Sequence, residues 1–567
     1  RESPAKSLFP YQTEDKLTQL AHCNGPVTVV RWRGEDGSHG FWRALDPHRP
    51  EGERSLHKTL DNTRLHFREF LPGKDWTFSA TWGFSRRFGF IRKATFCNDS
   101  STTAEVEILD GLQGVSPAGL TEAFQNQFSI LAHAYTRAEC MPEERLRMVY
   151  LNSAPTDRAE PSESLRANLV WSSGPRPEAR LLTERNATTF LAGEMPREEP
   201  ESRGVRVCPA EVLKLSVPPG KEISWFWVAE VDAGTAAASD LLAFLRDTPE
   251  AGIAPLLEEE WENNARKLRA MIASADGLQL SGDFRRNARH FSNALFNCKR
   301  GGVFHLGYKV PVEAYREHLH SFNAEVARRR EDWLRELPSE LSRPALMEKA
   351  AESGDEELFR LTLEFLPLTF SRRHGDPSRP WNKFSIRVRD RKGNRILGYQ
   401  GNWRDIFQNW EALSYSFPEY TEGFIARFLN SSTADGYNPY RLTHDGFEWE
   451  KLDPSEPWSN IGYWGDHQII YLLRLLEGSL ACNDGRLNAL LQRETFAFAR
   501  VPYRIKPFAE VLRDPRQSIV FDDAAEEEIE ERVKQIGTDG KMLTDPGGRL
   551  LHVSMAEKLL VPLLAKL

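Results

Sequence analysis

The chain has 567 residues, of which 40% are hydrophobic, 11% aromatic and 28% charged, and its formal net charge is −8. A chain of this length exceeds the size at which one hydrophobic core stops growing, so we expect two or more domains. The aromatic content argues against a disordered chain, and the absence of an uninterrupted apolar run of about 18 residues argues against a transmembrane helix. The acidic balance, without a basic run that contains aromatic residues, argues against nucleic acid or an anionic membrane as a partner.

The cysteines are scattered singly along the chain, without a Cys-x-x-Cys pair. They are Cys23, Cys97, Cys140, Cys208, Cys298 and Cys482. This usage is typical of free thiols in a reducing compartment, so we expect a cytoplasmic protein, no disulfide framework and no metal site. The sequence opens at Arg1 instead of Met and ends on an apolar stretch, and we therefore expect a fragment of a longer protein.

Short apolar runs separated by turn residues predict β-strands in the first part of the chain. Examples are Val27–Trp32, Thr77–Phe84, Ala104–Leu109, Arg147–Leu151 and Glu222–Ala229. Many short strands within about 230 residues are typical of a large antiparallel sandwich, which we assign to residues 1–235. The segment Pro155–Arg203 is rich in Pro, Glu and Arg and is predicted to contain a long surface loop.

The pattern then changes to helical spacing. Residues 236–279 are predicted to form linker helices, because Ser239 or Asp240 can cap one helix and apolar residues recur at helical spacing from Pro255 to Ile272. Residues 280–567 are predicted to be a mostly helical domain. The sequence therefore indicates a chain with a β part followed by an α part.

Aromatic and carboxylate side chains are concentrated between Trp381 and Tyr471. Six of the fifteen tryptophans lie there, namely Trp381, Trp403, Trp410, Trp449, Trp458 and Trp464. A sugar has flat C–H faces ringed by hydroxyls, so its site needs aromatic platforms together with Asp, Arg, Asn and Gln side chains. The region has this composition, although at least half of its tryptophans are expected to pack in the helical core.

Two segments in this region are predicted to be loops that lead into helices. In the first, Arg404 and Gln408, or Asp405 and Asn409, are four residues apart and share a helical face. In the second, Asp466 and His467 precede an apolar helix, where a carboxylate is favoured by the helix dipole or acts as a cap.

These motifs resemble the catalytic half of the cellobiose, chitobiose and cyclic-glucan phosphorylases. The resemblance is carried by Trp381–Phe384, by Asn402–Asn409, by the Asp435-Gly436 turn and by Trp464–Gln468. It implies a β-supersandwich, linker helices and a C-terminal (α/α)6 barrel, and it agrees with the change from strands to helices. It also implies a carbohydrate-active enzyme with an oligosaccharide substrate, and it is compatible with a homodimer.

The resemblance assigns the substrate-binding residues in this sequence. They are Trp403, Arg404, Asp405, Gln408, Asn409, Trp464, Asp466 and His467. Two departures from the family pattern stand out. Asn409 replaces an expected Asp, and the Trp-Asn-Asp motif that carries the general acid is absent from the sequence. The acid and the last barrel helices are therefore expected beyond Leu567, or this protein lacks them.

The identity of the nucleophile distinguishes two possible reactions, phosphorolysis and hydrolysis. An inverting phosphorylase needs one carboxylic acid because inorganic phosphate attacks the sugar, whereas an inverting hydrolase needs a second carboxylate to activate water. We predict the phosphorylase, with phosphate as co-substrate and no other cofactor. In the hydrolase alternative, the loop residues Glu448 and Glu450 are the candidates for the base. A non-catalytic carbohydrate-binding protein or an inactive fragment remains the third interpretation.

Overall fold

The computed structural model describes most of the chain. The described residues are 7–10, 16, 19–34, 37, 39–48, 50–153, 164–371, 389–390, 395–449, 463–464, 468–515 and 518–564. The chain forms two compact units, Ser3–Arg269 and Ala270–Leu567. None of the helices in the described part combines the length and the apolar character that crossing a membrane requires.

The first unit is built mainly from strands. They are β1 (Gly25–Arg33), β2 (His39–Trp42), β3 (Glu53–Lys58), β4 (Leu65–Leu71), β5 (Trp76–Ser85), β6 (Gly89–Asn98), β7 (Ala104–Gln113), β8 (Thr136–Met141), β9 (Leu146–Leu151), β10 (Arg166–Ser173), β11 (Ala179–Thr183), β12 (Glu201–Arg203), β13 (Val207–Val217) and β14 (Lys221–Gly234). Two helices interrupt them, α1 (Glu122–Ala134) and α2 (Glu184–Leu191). The five strand segments predicted from the sequence lie within β1, β5, β7, β9 and β14. In the segment predicted to contain a surface loop, residues 164–203 carry β10, β11, α2 and β12, and residues 155–163 lie outside the described residues.

The strands form two antiparallel sheets. One has five strands in the order β11-β13-β7-β1-β2, and the other has nine in the order β12-β8-β9-β10-β14-β6-β5-β4-β3. One buried core contains residues of both sheets, among them Val30 and Ile108 from the first and Phe96 and Trp225 from the second. The two sheets therefore pack face to face, as a sandwich does.

The nine-stranded sheet is covered on its other face by helices. Two linker helices follow β14, namely α3 (Thr235–Asp247) and α4 (Glu250–Ala273). Along β14, Trp225 and Trp227 belong to the core between the sheets, whereas Phe226 and Val228 pack with residues of the linker helices such as Leu257. A strand that is buried on both faces is apolar at every position, which explains the continuous run from Trp225 to Val228.

The second unit is mostly helical. Its helices are α5 (Phe284–Gly301), α6 (Val312–Phe322), α7 (Ala324–Arg329), α8 (Glu331–Glu336), α9 (Arg343–Glu352), α10 (Glu356–Glu364), α11 (Trp403–Ser416), α12 (Thr421–Asn430), α13 (Gln468–Leu491), α14 (Phe508–Arg513), α15 (Asp523–Ile536) and α16 (Met555–Leu564). Two 3₁₀ helices, Pro418–Tyr420 and Thr538–Lys541, lie between them. The α11 helix packs against α5 and α13, and α12 packs against α10 and α13.

Short strands connect these helices. They are β15 (Lys309–Pro311), β16 (Glu340–Ser342), β17 (Gln400–Asn402), β18 (Tyr437–Asn438), β19 (Arg441–Thr443), β20 (Gly446–Glu448), β21 (Tyr463–Trp464), β22 (Glu494–Phe496), β23 (Tyr503–Ile505), β24 (Ile519–Phe521) and β25 (Val553–Ser554). The predicted fold class is confirmed, because an antiparallel sandwich is followed by linker helices and by packed pairs of helices. The predicted domain boundaries at 235 and 279 flank α3 and α4 and stay predictions.

Candidate functional site

The predicted sugar-binding motif lies where β17 leads into α11. β17 pairs with β19, so that Asn402 lies opposite Arg441. The backbone N–H of Trp403 donates a hydrogen bond to the carbonyl oxygen of Tyr440 at 2.9 Å. The small sheet therefore fixes the position from which the first turn of α11 begins.

Asp405 lies in that first turn and forms an ion pair with Arg300. Its Oδ1 is 3.7 Å from Nη2 of Arg300, and the two side chains are 20% and 13% exposed respectively. Arg300 lies in the last turn of α5, so each charge is at the helix end where the helix dipole favours it. A partly exposed carboxylate can accept hydrogen bonds from two neighbouring hydroxyls, and the guanidinium can donate to an oxygen of the same ligand.

A buried serine connects the two chain segments that carry this pair. Ser371 Oγ lies 3.1 Å from the carbonyl oxygen of Arg300 and 3.3 Å from that of Gln400. The end of α5 and the start of β17 thus share one hydrogen-bonding residue. A binding pair that is held by fixed elements keeps its geometry better than a pair on a free loop.

The next two predicted residues differ in their surroundings. Gln408 is exposed, whereas Asn409 is only 2% exposed. Asn409 Nδ2 donates to Asn297 Oδ1 at 2.9 Å, and Trp410 Nε1 donates to the carbonyl oxygen of Gly301 at 2.9 Å. In this structure Asn409 therefore connects α11 to α5, and the predicted binding roles of Gln408 and Asn409 stay predictions. The residue that departs from the family pattern has a structural contact here.

The structure gives Trp403 a packing role. Its side chain is fully buried, and its ring packs against Phe407 and Phe428, with centroids 4.7 Å apart in each case. A fully buried indole offers no face to a sugar, so the prediction that Trp403 binds substrate is corrected. Trp410 is fully buried as well, in agreement with the expectation that many of these tryptophans belong to the core.

Other predicted residues fall outside what the structure describes. Glu450, Asp466 and His467 lie outside the described residues. The backbone of Arg404 belongs to α11, and that of Trp464 belongs to β21, where it pairs with Tyr437. The side chains of Arg404 and Trp464 are outside the described part, so their binding roles stay predictions.

The candidate base Glu448 lies on the same small sheet as the start of α11. It is opposite Arg441 across the β19–β20 pair, and Arg441 is in turn opposite Asn402. Arg441 Nε donates to Glu448 Oε2 at 2.9 Å, and the Glu448 side chain is 42% exposed. Glu448 is therefore a solvent-accessible carboxylate with an arginine partner, two strands away from the Asn402 end of α11.

Two sets of residues are missed by the sequence analysis. Arg300 lies in the stretch Lys299-Arg300-Gly301. Basic residues followed by glycine indicate the last turn of a helix. Its proximity to Asp405, however, results from the packing of α5 on α11. The other missed set is a group of buried charges in the second unit.

This buried charge cluster connects α10, α12 and the 3₁₀ helix Thr538–Lys541. Glu364 accepts hydrogen bonds from Arg360 and Arg427, each at 3.2 Å, and from Asn430 at 2.5 Å. Arg360 also pairs with Asp539 at 2.5 Å. Burial raises the pKa of Asp539, and the Arg360 guanidinium opposes that rise. Because these charged side chains are at most 1% exposed, the cluster holds elements together and cannot reach a substrate.

The described residues include no group of three or more His, Cys, Asp or Glu side chains that could hold a metal ion. The described site offers hydrogen bonding and ion pairing by Asp405, Arg300 and the Arg441–Glu448 pair. The prediction of a site without metal or cofactor stays a prediction.

Residues 304–367 match the family model described as "Glycoside hydrolase family 149 insertion domain 1". The matched segment corresponds to a structural feature, because the fully buried residues of one core all lie between Val310 and Phe365, among them Tyr315, Leu319 and Leu361. The match supports a carbohydrate-active protein of the glycoside hydrolase and phosphorylase group, in agreement with the resemblance found in the motifs. A comparison with curated proteins found no match.

Solved structures with distant similarity include a bacterial glucoamylase complexed with acarbose, at 10% identity and a TM-score of 0.30, where the aligned part covers 76% of this chain and 64% of that one. A putative kojibiose phosphorylase from the human microbiome has 8% identity and a TM-score of 0.22, and the aligned part covers 71% of this chain and 39% of that one. A family GH92 alpha-mannosidase from Bacteroides thetaiotaomicron has 10% identity and a TM-score of 0.25, and the aligned part covers 76% of this chain and 61% of that one. The chain spans less than two thirds of the length of each of these structures.

Proposed function

We propose that this protein cleaves a glycosidic bond of an oligo- or polysaccharide by inverting phosphorolysis, with inorganic phosphate as the nucleophile. The observation that carries the proposal is the match of residues 304–367 to an insertion domain of a glycoside hydrolase family. The match supports carbohydrate chemistry for the chain. The choice of phosphate over water rests on the motif resemblance.

The start of α11 supports the substrate-binding part of this proposal. Asp405 is partly exposed beside Arg300 at 3.7 Å, and a hydrogen bond from a sugar hydroxyl to a charged carboxylate is roughly twice as strong as one between neutral groups. In the proposed reaction Asp405 binds the ring next to the scissile bond. Arg300 keeps the carboxylate in place and donates a hydrogen bond to the substrate or to phosphate.

The reaction must protonate the leaving oxygen while the nucleophile attacks the opposite face of the ring. Phosphate is already anionic at neutral pH, so a phosphorylase needs no carboxylate base. The proposed reaction therefore requires phosphate and no other cofactor. Its product is a sugar 1-phosphate with inverted configuration at the anomeric carbon.

A specific observation favours a second candidate, an inverting hydrolase. Glu448 lies on the β17–β19–β20 sheet that begins α11, and adjacent strands are about 4.8 Å apart. A carboxylate two strands from the α11 start is therefore in the same neighbourhood as the Asp405 motif. In this alternative Glu448 or Glu450 activates water, for which a separation of about 6.5–9.5 Å from the acid is typical.

The experiment incubates the chain with glucose oligosaccharides of different linkage, with and without inorganic phosphate. The expected result is cleavage only with phosphate, and NMR then detects a sugar 1-phosphate of inverted anomeric configuration. Cleavage without phosphate that is lost in Glu448→Gln would establish the hydrolase instead. Binding of the oligosaccharides without cleavage in either condition would overturn both reactions in favour of a carbohydrate-binding protein.

A further inference from the structure

A cavity of about 370 Å³ lies between α5 and α11, toward the C-terminal end of α11. It is lined by the facing sides of these two helices and by the loop that follows α4. This volume lies within the range of small-molecule sites. None of the residues discussed so far as a substrate ligand lines it.

The α5 side of the cavity carries polar groups on a single helical face. His290, Asn293 and Asn297 are spaced three and four residues apart, which places them one above another. His290 Nε2 donates to the carbonyl oxygen of Asp276 at 2.6 Å, which fixes the orientation of the ring. Because Asn297 Oδ1 accepts from Asn409, its Nδ2 is the group that Asn297 can offer to a ligand.

The α11 side adds a carboxylate and an aromatic ring. Glu411 and Tyr415 are four residues apart and so share a helical face. The Tyr415 side chain is 71% exposed, although burial of an aromatic ring is strongly favourable. An exposed ring beside a carboxylate at the edge of a cavity can stack on an apolar ligand face while the carboxylate binds hydroxyls.

The cavity is separate from the Arg300–Asp405 end of the same helix pair. Asn409 lies between them along α11, is 2% exposed, and bonds to Asn297 across the two helices. Trp410 is fully buried at the same level. A ligand in the cavity therefore does not extend directly along the helix pair to Asp405.

We infer that this cavity is an accessory saccharide-binding site that takes one or two glycosyl units. Its described lining residues include an aromatic ring, amides, an imidazole and the two acidic residues Asp276 and Glu411, but no Arg or Lys. The cavity therefore suits a neutral polyhydroxyl ligand and does not suit a phosphate or another anion. The ligand class rests on the proposed carbohydrate function, whereas the site rests on the cavity itself. Such a site holds a long substrate on the protein without taking part in bond cleavage.

The test measures binding of maltotriose, cellotriose and laminaritriose by calorimetry and by saturation-transfer NMR. The measurements use the Asp405→Asn background, which weakens binding at the α11 start. We expect Tyr415→Ala and Asn293→Ala to weaken binding of at least one trisaccharide about tenfold or more. Tyr415→Phe should retain binding, since it keeps the ring. Phe508→Ala is the matched control, because Phe508 is an aromatic residue 75% exposed outside the cavity.

The outcomes separate this inference from the proposed function. If none of the three trisaccharides binds, or if Tyr415→Ala and Asn293→Ala bind all of them as the parent does, the accessory site is rejected. Circular dichroism checks that these surface variants are folded. If binding depends on Tyr415 but neither phosphorolysis nor hydrolysis occurs, the accessory site stands and only the proposed reaction fails.

Discussion

Asp405 is held beside a guanidinium at the first turn of a helix, and this placement determines what its substitution should do. Asp405→Asn keeps the shape of the side chain but removes the negative charge that strengthens its hydrogen bonds with sugar hydroxyls. Loss of a charged hydrogen bond costs about 1.5–3 kcal/mol, so we expect kcat/KM for oligosaccharide cleavage to fall about 10- to 150-fold. Steady-state kinetics at saturating phosphate measure this effect.

The matched control is Asp332→Asn. Asp332 is an exposed aspartate in the same unit that also pairs with an arginine, Arg335, at 3.4 Å. Exposed ion pairs contribute little to stability, and this one lies on α8, so activity should not change. A folded Asp405→Asn variant with parental kcat/KM would remove Asp405 from the binding site.

Single residues also show how far sequence reasoning extends. The sequence predicts a loop that leads into a helix near Trp403, and the structure has this helix. The exposure of Trp403 and Asn409 is not predictable in the same way, because both residues lie on an amphipathic helix. The face of this helix that is buried depends on how α5 and α12 pack against it. The deciding contacts, Asn409 with Asn297 and Trp403 with Phe428, join residues that are far apart in sequence.

At the scale of elements, the two sheets of the first unit are connected by buried carboxylates. Asp110 on β7 accepts hydrogen bonds from Arg92 on β6 and from the indole nitrogens of Trp225 and Trp227 on β14. Glu211 on β13 accepts bonds from Arg147 and Arg145 near β9. In each case the acid belongs to the five-stranded sheet, and these arginine and tryptophan donors belong to the nine-stranded sheet or its loops. Because a buried charge is costly unless it is paired, these groups fix how the sheets face one another.

Glu211 gives a stability prediction with a defined pH dependence. Burial alone would raise its pKa, but Arg147 and Arg145 prevail and lower it from 4.5 to about 2. A carboxyl with a lowered folded-state pKa stabilises the fold above its unfolded-state pKa, and this contribution is lost as the pH falls toward the folded-state value. Glu211→Gln leaves two buried arginines without their carboxylate, so at pH 7 we expect a loss of about 3–5 kcal/mol in the free energy of unfolding.

Denaturant unfolding at several pH values measures the difference between the parent and Glu211→Gln. The difference should be largest near pH 7 and should narrow between about pH 4.5 and pH 2, where the parent also loses the charge. Glu201→Gln is the control, since Glu201 is 49% exposed and pairs with Arg137 at 3.3 Å. A difference that does not change with pH would mean that shape, and not charge, accounts for the role of Glu211.

At the scale of the whole molecule, the order of a β part and an α part is predictable because strand and helix spacing differ along the chain. Contacts between distant segments are not. Arg360 and Asp539 are 179 residues apart and form a buried pair, and Arg300 meets Asp405 across two helices. Nothing in the local sequence of an arginine indicates which carboxylate it will meet, so the site could be predicted only as a list of residues.

The two compact units have separate buried charge clusters, and this leads to a prediction for the unfolding of the whole chain. Glu211 lies in the first unit, and Glu364 in the second accepts bonds from Arg360 and Arg427. Each substitution to Gln leaves buried arginines without their negatively charged partner, and it does so within one unit only. Since the two acids share no partner, their effects should be independent.

We therefore expect scanning calorimetry to resolve two transitions, with Glu211→Gln lowering the midpoint of one and Glu364→Gln that of the other. The double variant should show both shifts at their single-variant sizes, because distant sites without shared partners add. Glu201→Gln again serves as the control and should move neither midpoint. If both variants lower the midpoint of the same transition equally, the two units unfold as one cooperative body. Each cluster then contributes to the free energy of unfolding of the whole chain.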